Sequence, residues 1–297
     1  MDYYPSSVRF LKSMALSLSI IICSRNPDIS KDLRENITNT AAGSDFEIIV
    51  IDNSRNEFDI FTAYNEGVRM SSGEILCFMH EDVRIHTVGW VSQVISIFSK
   101  MPDLGCLGII GDLALPERPS YVGWQIPVYD YIQGTARRVS NGNYFMRGGL
   151  CEVVAVDGFW FCIPKCVLEH CAFDDAFFSG FHFYDMDIST QILSSGYKLA
   201  VTNTICISHR NDIDKSYNAS FFETLPNVVR KWRHLLPIAT CNTIGQIRHL
   251  ASLKDDDYTT AFRFSKYRKV KQILYEYFVF TRKLRILFRE YKAKLAQ

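Results

Sequence analysis

The chain has 297 residues, 47% hydrophobic and 22% charged, with 33 Lys and Arg against 32 Asp and Glu. This composition excludes an intrinsically disordered chain, a collagen-like repeat and a disulfide-stapled miniprotein, and the length allows a large buried core. The formal net charge of +1 hides an asymmetry: residues 254–297 carry 12 basic and 5 acidic side chains, leaving 21 and 27 in residues 1–253, so an anionic partner should meet the tail first.

The first apolar run, residues 16–23, follows Arg9 and Lys12 and is too short to span a bilayer. No small-x-small cleavage site follows it, so it reads as a buried strand rather than a signal peptide. Similar Ile- and Val-rich runs recur at residues 46–51 and 75–79. Each of the three ends in a polar triplet: Ser24-Arg25-Asn26, Asp52-Asn53-Ser54 and His80-Glu81-Asp82. Between them, Ile29, Leu33 and Ile37, then Ile60, Tyr64 and Val68, recur at helical spacing. Continuous apolar strands alternating with amphipathic helices predict βαβ units and a mostly parallel α/β sheet flanked by helices.

A further helix is predicted over 90–101 and a strand over 104–110. Prolines 116, 119 and 127 with Arg137, Arg138 and Arg147 mark an irregular excursion over 113–149. A strand at 153–163, a helix at 186–195 ending before Gly196, and a last strand at 198–208 follow. Beyond Lys254, a stripe through Val270, Leu274, Tyr277, Leu284, Phe288, Tyr291 and Leu295 predicts a basic amphipathic helix. That helix packs on the body, on a second copy of the chain, or on anionic lipid; the sequence does not separate these. The expected division is therefore an α/β domain over 1–253 and a helical tail over 254–297.

Nine cysteines, with no Cys-x-x-Cys pair, sit mostly in apolar runs and read as small hydrophobes of a reduced, cytoplasmic chain. The cluster Cys162, Cys166, His170 and Cys171 has zinc-ligand types but no common zinc spacing.

In an open parallel sheet, ligands bind at the carboxyl ends of the strands, where the polar triplets stand. Asp52 and Asn53 can accept from a ribose hydroxyl or a base edge, although Asp52 could equally cap a turn. The carboxylates of Glu81 and Asp82 beside His80 repel one another unless a cation lies between them, and a hard divalent ion bridging to a diphosphate would satisfy both sides. The first strand is followed by no glycine-rich phosphate loop, which argues against an NTPase, a dehydrogenase or a nucleotidyltransferase.

The segments Leu18-Ser19-Ile20-Ile21-Ile22-Cys23-Ser24-Arg25-Asn26 and Glu47-Ile48-Ile49-Val50-Ile51-Asp52-Asn53-Ser54 resemble the opening of family 2 glycosyltransferases with the GT-A fold. Asn65-Glu66-Gly67 and the run from Ser72 to Asp82 are similar to the family's Asn-x-Gly helix and acidic metal-binding motif. Val156-Asp157-Gly158-Phe159 resembles the acceptor-side strand, and Tyr184-Asp185-Met186-Asp187 the motif of the catalytic base, over about residues 16–212 in all. The resemblance implies a nucleotide pocket of Ser24, Arg25, Asn26, Asp52, Asn53 and Glu81, with Asn65 and Gly67 beside the pyrophosphate or base. It implies a metal site at Asp82, joined by His80, which stands where the family more often has Asp, and by His209. Asp185 matches the base, with Tyr184 in place of the family's Glu and Asp187 able to share the role. The implied activity is inverting transfer from a nucleotide-diphosphate sugar, UDP first, to a glycan or lipid-linked acceptor hydroxyl, with Mn2+ or Mg2+. No nucleic-acid partner is implied. A silent GT-A scaffold that binds a saccharide or a partner is the alternative, and acceptor recognition is expected within 113–155.

Overall fold

The computed structural model describes residues 17–112, 149–209 and 219–236, with strand segments at 114–115, 129–132, 135–138 and 238–239. The tail 254–297 and most of 113–148, including Trp124 and Arg147, lie outside the described residues.

The N-terminal half alternates strands and helices: β1 (Leu18–Ser24), α1 (Lys31–Ala41), β2 (Phe46–Asp52), α2 (Ile60–Met70), β3 (Ile75–Met79), β4 (Val83–Ile85), α3 (Trp90–Lys100) and β5 (Leu104–Gly108). Short strands follow: β6 (Gly111–Asp112), β7 (Ala114–Leu115), β8 (Tyr129–Ile132) and β9 (Thr135–Arg138). The remainder comprises β10 (Leu150–Val153), β11 (Ala155–Val156), β12 (Trp160–Pro164), α4 (Tyr184–Ser194), β13 (Lys198–Thr202), β14 (Ile207–His209), α5 (Ala219–Trp232) and β15 (Ile238–Ala239). A seven-stranded sheet runs in the order β10-β13-β5-β12-β3-β1-β2. Its strands β2, β1, β3, β5 and β13 point one way, and β12 and β10 are reversed. The mostly parallel α/β sheet expected from the sequence is thus the observed one.

The apolar runs form strands because the sheet is covered on both faces: Ile20, Ile21, Ile22, Cys77, Phe78, Leu107, Phe161 and Cys162 are all fully buried. Helix α1 starts at Ser30, whose Oγ accepts from the Leu33 N–H at 3.2 Å, and buries Leu33, Ile37 and Ala41. Helix α2 starts at Asp59, which accepts from Thr62 N–H at 2.8 Å. It presses against β1 so closely that a Cβ on Gly67 would stand 2.2 Å from Ile21 Cγ2. Tyr64, Phe78, Phe161 and Phe173 meet in one aromatic cluster, with Tyr64 and Phe78 centroids 4.9 Å apart and Phe78 stacked on Phe161 at 5.0 Å.

Two predicted strands are broken, and both breaks shape the site. The run 153–163 begins at the end of β10 and then divides into β11 and β12 at Asp157-Gly158. The run 198–208 divides too: β13 stays in the main sheet, whereas β14 leaves it to pair antiparallel with β4, His209 opposite Val83. Helix α5 has no counterpart in the sequence reading. Its buried residues Phe221, Leu225, Val228 and Trp232 keep helical spacing, but Pro226 lies inside it. Among the described residues no helix is long and apolar enough to cross a membrane.

Candidate active site

Parallel strands bring their carboxyl ends to one edge. Ser24 is the register partner of Asp52, and β3 beside β1 ends at Met79, just before His80. At that edge Ser24 Oγ donates to Glu81 Oε2 at 2.6 Å, the Arg25 N–H to Glu81 Oε1 at 3.3 Å, and the Asn26 N–H to Ser24 Oγ at 3.1 Å. Ser24, Arg25, Asn26 and Glu81 therefore form one network. Asp52 is exposed and accepts from the Ser54 N–H at 2.9 Å; hydrogen bonds from Ser54 hold its carboxyl below the usual range. Asn53 is buried and closes the turn to Phe58, donating to its carbonyl at 2.8 Å and accepting from its N–H at 2.9 Å.

Beside this network stand His80, Asp82 and His209. His209 Nε2 lies 3.1 Å from Asp82 Oδ1 and 3.3 Å from His80 Nδ1, which is itself 4.0 Å from Asp82 Oδ1. All three ligand atoms fall within 4.8 Å of one another, and among the described residues no other such group can share an ion. Those separations approach the roughly 3–3.5 Å expected of donors sharing one ion at bonds of about 2.1 Å, so the residues fit a divalent metal. The pairing of β14 with β4 carries His209 here, and Phe159 stacks flat on its ring, centroids 4.9 Å apart at 10°. Desolvation first, then neighbouring His209, pushes His80 down to about 4, so near neutral pH its imidazole is uncharged. Desolvation opposes ionisation of Asp82, yet the hydrogen bond and charge of His209, with His80, hold its carboxyl below the usual range.

A second acidic group lies on the other side of Tyr184. Its hydroxyl is 2.8 Å from His80 Nε2, so the two positions at which the chain departs from the motifs it resembles touch each other. The next residue, Asp185, accepts from the Gly158 N–H at 3.1 Å and from the Met186 N–H at 2.8 Å. Burial and then the charge of Asp157 push Asp185 up to about 7; burial pushes Asp157 up to about 6, against the Phe159 N–H and the charge of His209. A carboxylate raised in this way is suited to exchanging a proton near neutrality.

Three expected site residues are engaged by other parts of the fold. Asn65 donates from Nδ2 to the Phe173 carbonyl at 2.7 Å and to Asp175 at 3.2 Å, and accepts from the Phe173 N–H at 3.2 Å, which ties α2 to the loop before α4. Gly67 is the close-packing point of α2 on β1 described above. Asp187 is fully buried, with Lys231 Nζ at 2.7 Å, the Trp232 indole N–H at 2.7 Å and the Gln191 amide at 2.8 Å. That closed ion pair latches α5 onto α4, and its carboxylate has no acceptor capacity left for substrate. Asp157 and Phe159, in the segment likened to the acceptor-side strand, border Asp185 and His209 without having been assigned roles of their own. Their signal is the Asp-Gly break in an apolar run. A cavity of about 340 Å³ lined by Val68, Ser72, Gly73, Glu74, Lys165 and Glu169 lies at the amino end of β3, away from these groups.

A family profile described as "Glycosyltransferase like family" matches residues 19–223, well over half of the chain. No curated protein matches the sequence. Among solved structures, the chain is similar to GalNAc-T7 crystallised with UDP, GalNAc and Mn2+, at 15% identity and a TM-score of 0.49 over 73% of this chain and 48% of that one. It therefore spans about half the length of that protein. It is also similar to the catalytic domain of Drosophila beta1,4galactosyltransferase 7 in complex with xylobiose, at 13% identity and a TM-score of 0.40 over 82% and 81% of the two chains. A197 from STIV follows at 12% identity and 0.40 over 67% and 87%. On the extent of the profile match, the chain belongs to the glycosyltransferase-like family.

Proposed function

We propose that the chain transfers a sugar from a nucleoside diphosphate donor to a hydroxyl of a saccharide or lipid-linked acceptor, with inversion at the anomeric carbon. One observation carries this reading: His80, Asp82 and His209 converge beside Tyr184-Asp185, so a cation-binding set and a near-neutral base border the same space. Ser24, Arg25, Asn26 and Asp52 edge the nucleotide side, with UDP the first candidate. Asn53 shapes the loop behind it, and Glu81 holds Ser24 and the Arg25 N–H in place.

His80, Asp82 and His209 would hold a divalent ion, and such an ion supplies positive charge against the charge that develops on the departing diphosphate. Asp185 accepts the acceptor hydroxyl's proton as the new oxygen–carbon bond forms and the carbon–diphosphate bond breaks. The N–H groups of Gly158 and Met186 fix its carboxyl, so it meets the acceptor in a set orientation. The basic charge and the apolar stripe in the sequence of the tail 254–297 support contact with an anionic membrane surface or a second copy of the chain.

The test is thermal unfolding with a panel of nucleoside diphosphates, with and without Mn2+. A stabilisation by one diphosphate that requires the metal supports the enzyme. No stabilisation by any of them favours the silent scaffold and rejects the donor site.

A further inference from the structure

We infer that Tyr184 is a positioning residue for the cation site, and that Gly158 exists to make room for its hydroxyl. This rests on the reading of His80, Asp82 and His209 as metal ligands. His80 offers Nδ1 toward Asp82 Oδ1 and His209 Nε2, and offers Nε2 to Tyr184 at 2.8 Å. A neutral imidazole carries one proton. Nδ1 presents a lone pair to a cation only when Nε2 holds that proton, and the Tyr184 oxygen is the acceptor that keeps it there.

Two features of the backbone hold Tyr184 to this task. A Cβ at residue 158 would stand 2.2 Å from the Tyr184 hydroxyl oxygen and 2.4 Å from its ring carbon Cζ, so the side chain occupies space that only glycine leaves. Phe183, immediately before it, has φ of +67°, a left-handed conformation that L residues seldom adopt, and this aims the first residue of α4 at His80. The Tyr184 ring is fixed from behind by edge contacts with Tyr64 at 5.6 Å and Phe61 at 6.4 Å. Because Asp185 is the next residue and bonds to Gly158, the same three residues set the tautomer of a metal ligand and the position of the base. The cation site and the base are thereby held in one rigid arrangement.

Mn2+ alone is the probe, read by titration calorimetry and by nitrogen-14 electron spin-echo modulation of the bound ion. The wild-type protein should bind Mn2+ with two coupled imidazole nitrogens, from His80 and His209. Tyr184→Phe, which removes only the hydroxyl, should weaken Mn2+ about tenfold or more and leave one coupled nitrogen, the spectrum also expected of His80→Ala. Gly158→Ala, which displaces the hydroxyl without removing it, should give the same one-nitrogen spectrum. Wild-type affinity and two nitrogens in Tyr184→Phe would overturn the inference. A wild-type protein that binds no Mn2+ would overturn it together with the metal reading. Two nitrogens in the wild type, lost in Tyr184→Phe, in a protein that transfers no sugar would leave this inference standing and reject only the proposed function.

Discussion

The carboxylate of Asp185 is held against the backbone N–H of Gly158 at 3.1 Å, across the point where one apolar run breaks into two strands. The break places Asp157 within electrostatic reach of Asp185, and burial with that like charge raises the Asp185 pKa to about 7. A strand without this interruption would have kept residues 157 and 158 in the ladder and left Asp185 only the Met186 N–H.

Asp185→Asn keeps the shape, and its single amide oxygen can accept from either Gly158 or Met186, which bond Oδ2 and Oδ1 separately, so the fold should survive at a modest cost in stability. It cannot take a proton. Transfer should fall by about 10²–10⁴-fold while nucleotide affinity stays unchanged, measured by product formation and by titration of the nucleoside diphosphate. Activity comparable to wild type would remove Asp185 from the role of base.

Because the base must be ionised to act, kcat/KM should rise with pH through a midpoint near 7, the value to which Asp185 is pushed. Asp157→Asn removes the like charge, so the midpoint should move to lower pH. The same shifts carry a stability signature. Both acids have folded pKa values above the ordinary carboxylate value, so the stability they contribute is complete below that value and is lost as pH rises through about 6 and about 7. His80, pushed down to about 4, works the other way as pH falls. The informative quantity is therefore the Tm of Asp157→Asn minus that of wild type, in EDTA, which should grow from pH 5 to pH 8.

Asp82→Ala should weaken metal-dependent binding of the diphosphate, and EDTA should abolish it in the wild type. Two of the three donors are imidazoles, which suit Mn2+ better than the hard, oxygen-seeking Mg2+. The thermal shift with a diphosphate should accordingly be larger with Mn2+ than with Mg2+ at equal concentration.

The latch of α5 is a stability feature. Lys231→Met would leave Asp187 buried with no cation, and should destabilise the protein by about 3–5 kcal/mol in denaturant titration. Adding Asp187→Leu should recover much of that loss, since an apolar pair leaves no charge to desolvate. A loss that the second change makes worse would show that the carboxylate matters apart from Lys231.

The central strands and the edge they share were legible because their signals are local. Apolar runs such as 18–23 and 75–79 need no partner to be recognised, and the polar triplets after them fall at the carboxyl ends by chain direction alone. What needed the fold was which polar residue faces outward. Asp185 and Asp187 stand two apart at one helix start, yet one lies by the Gly158 break and the other is closed off by Lys231, a residue 44 positions further on. Asn65 and Gly67 match a motif by residue type, but Phe173 and Ile21, also distant in sequence, decide what they touch. Asp157 gave a weaker signal, an Asp-Gly pair in a run otherwise of strand character.

The most direct measurement is a structure of the protein with Mn2+ and a bound nucleoside diphosphate sugar. The ion should sit on His80 Nδ1, Asp82 Oδ1 and His209 Nε2, with the diphosphate on its open side and Asp185 facing the anomeric carbon from across the sugar. A donor bound away from His209, or one whose sugar points away from Asp185, would contradict this arrangement.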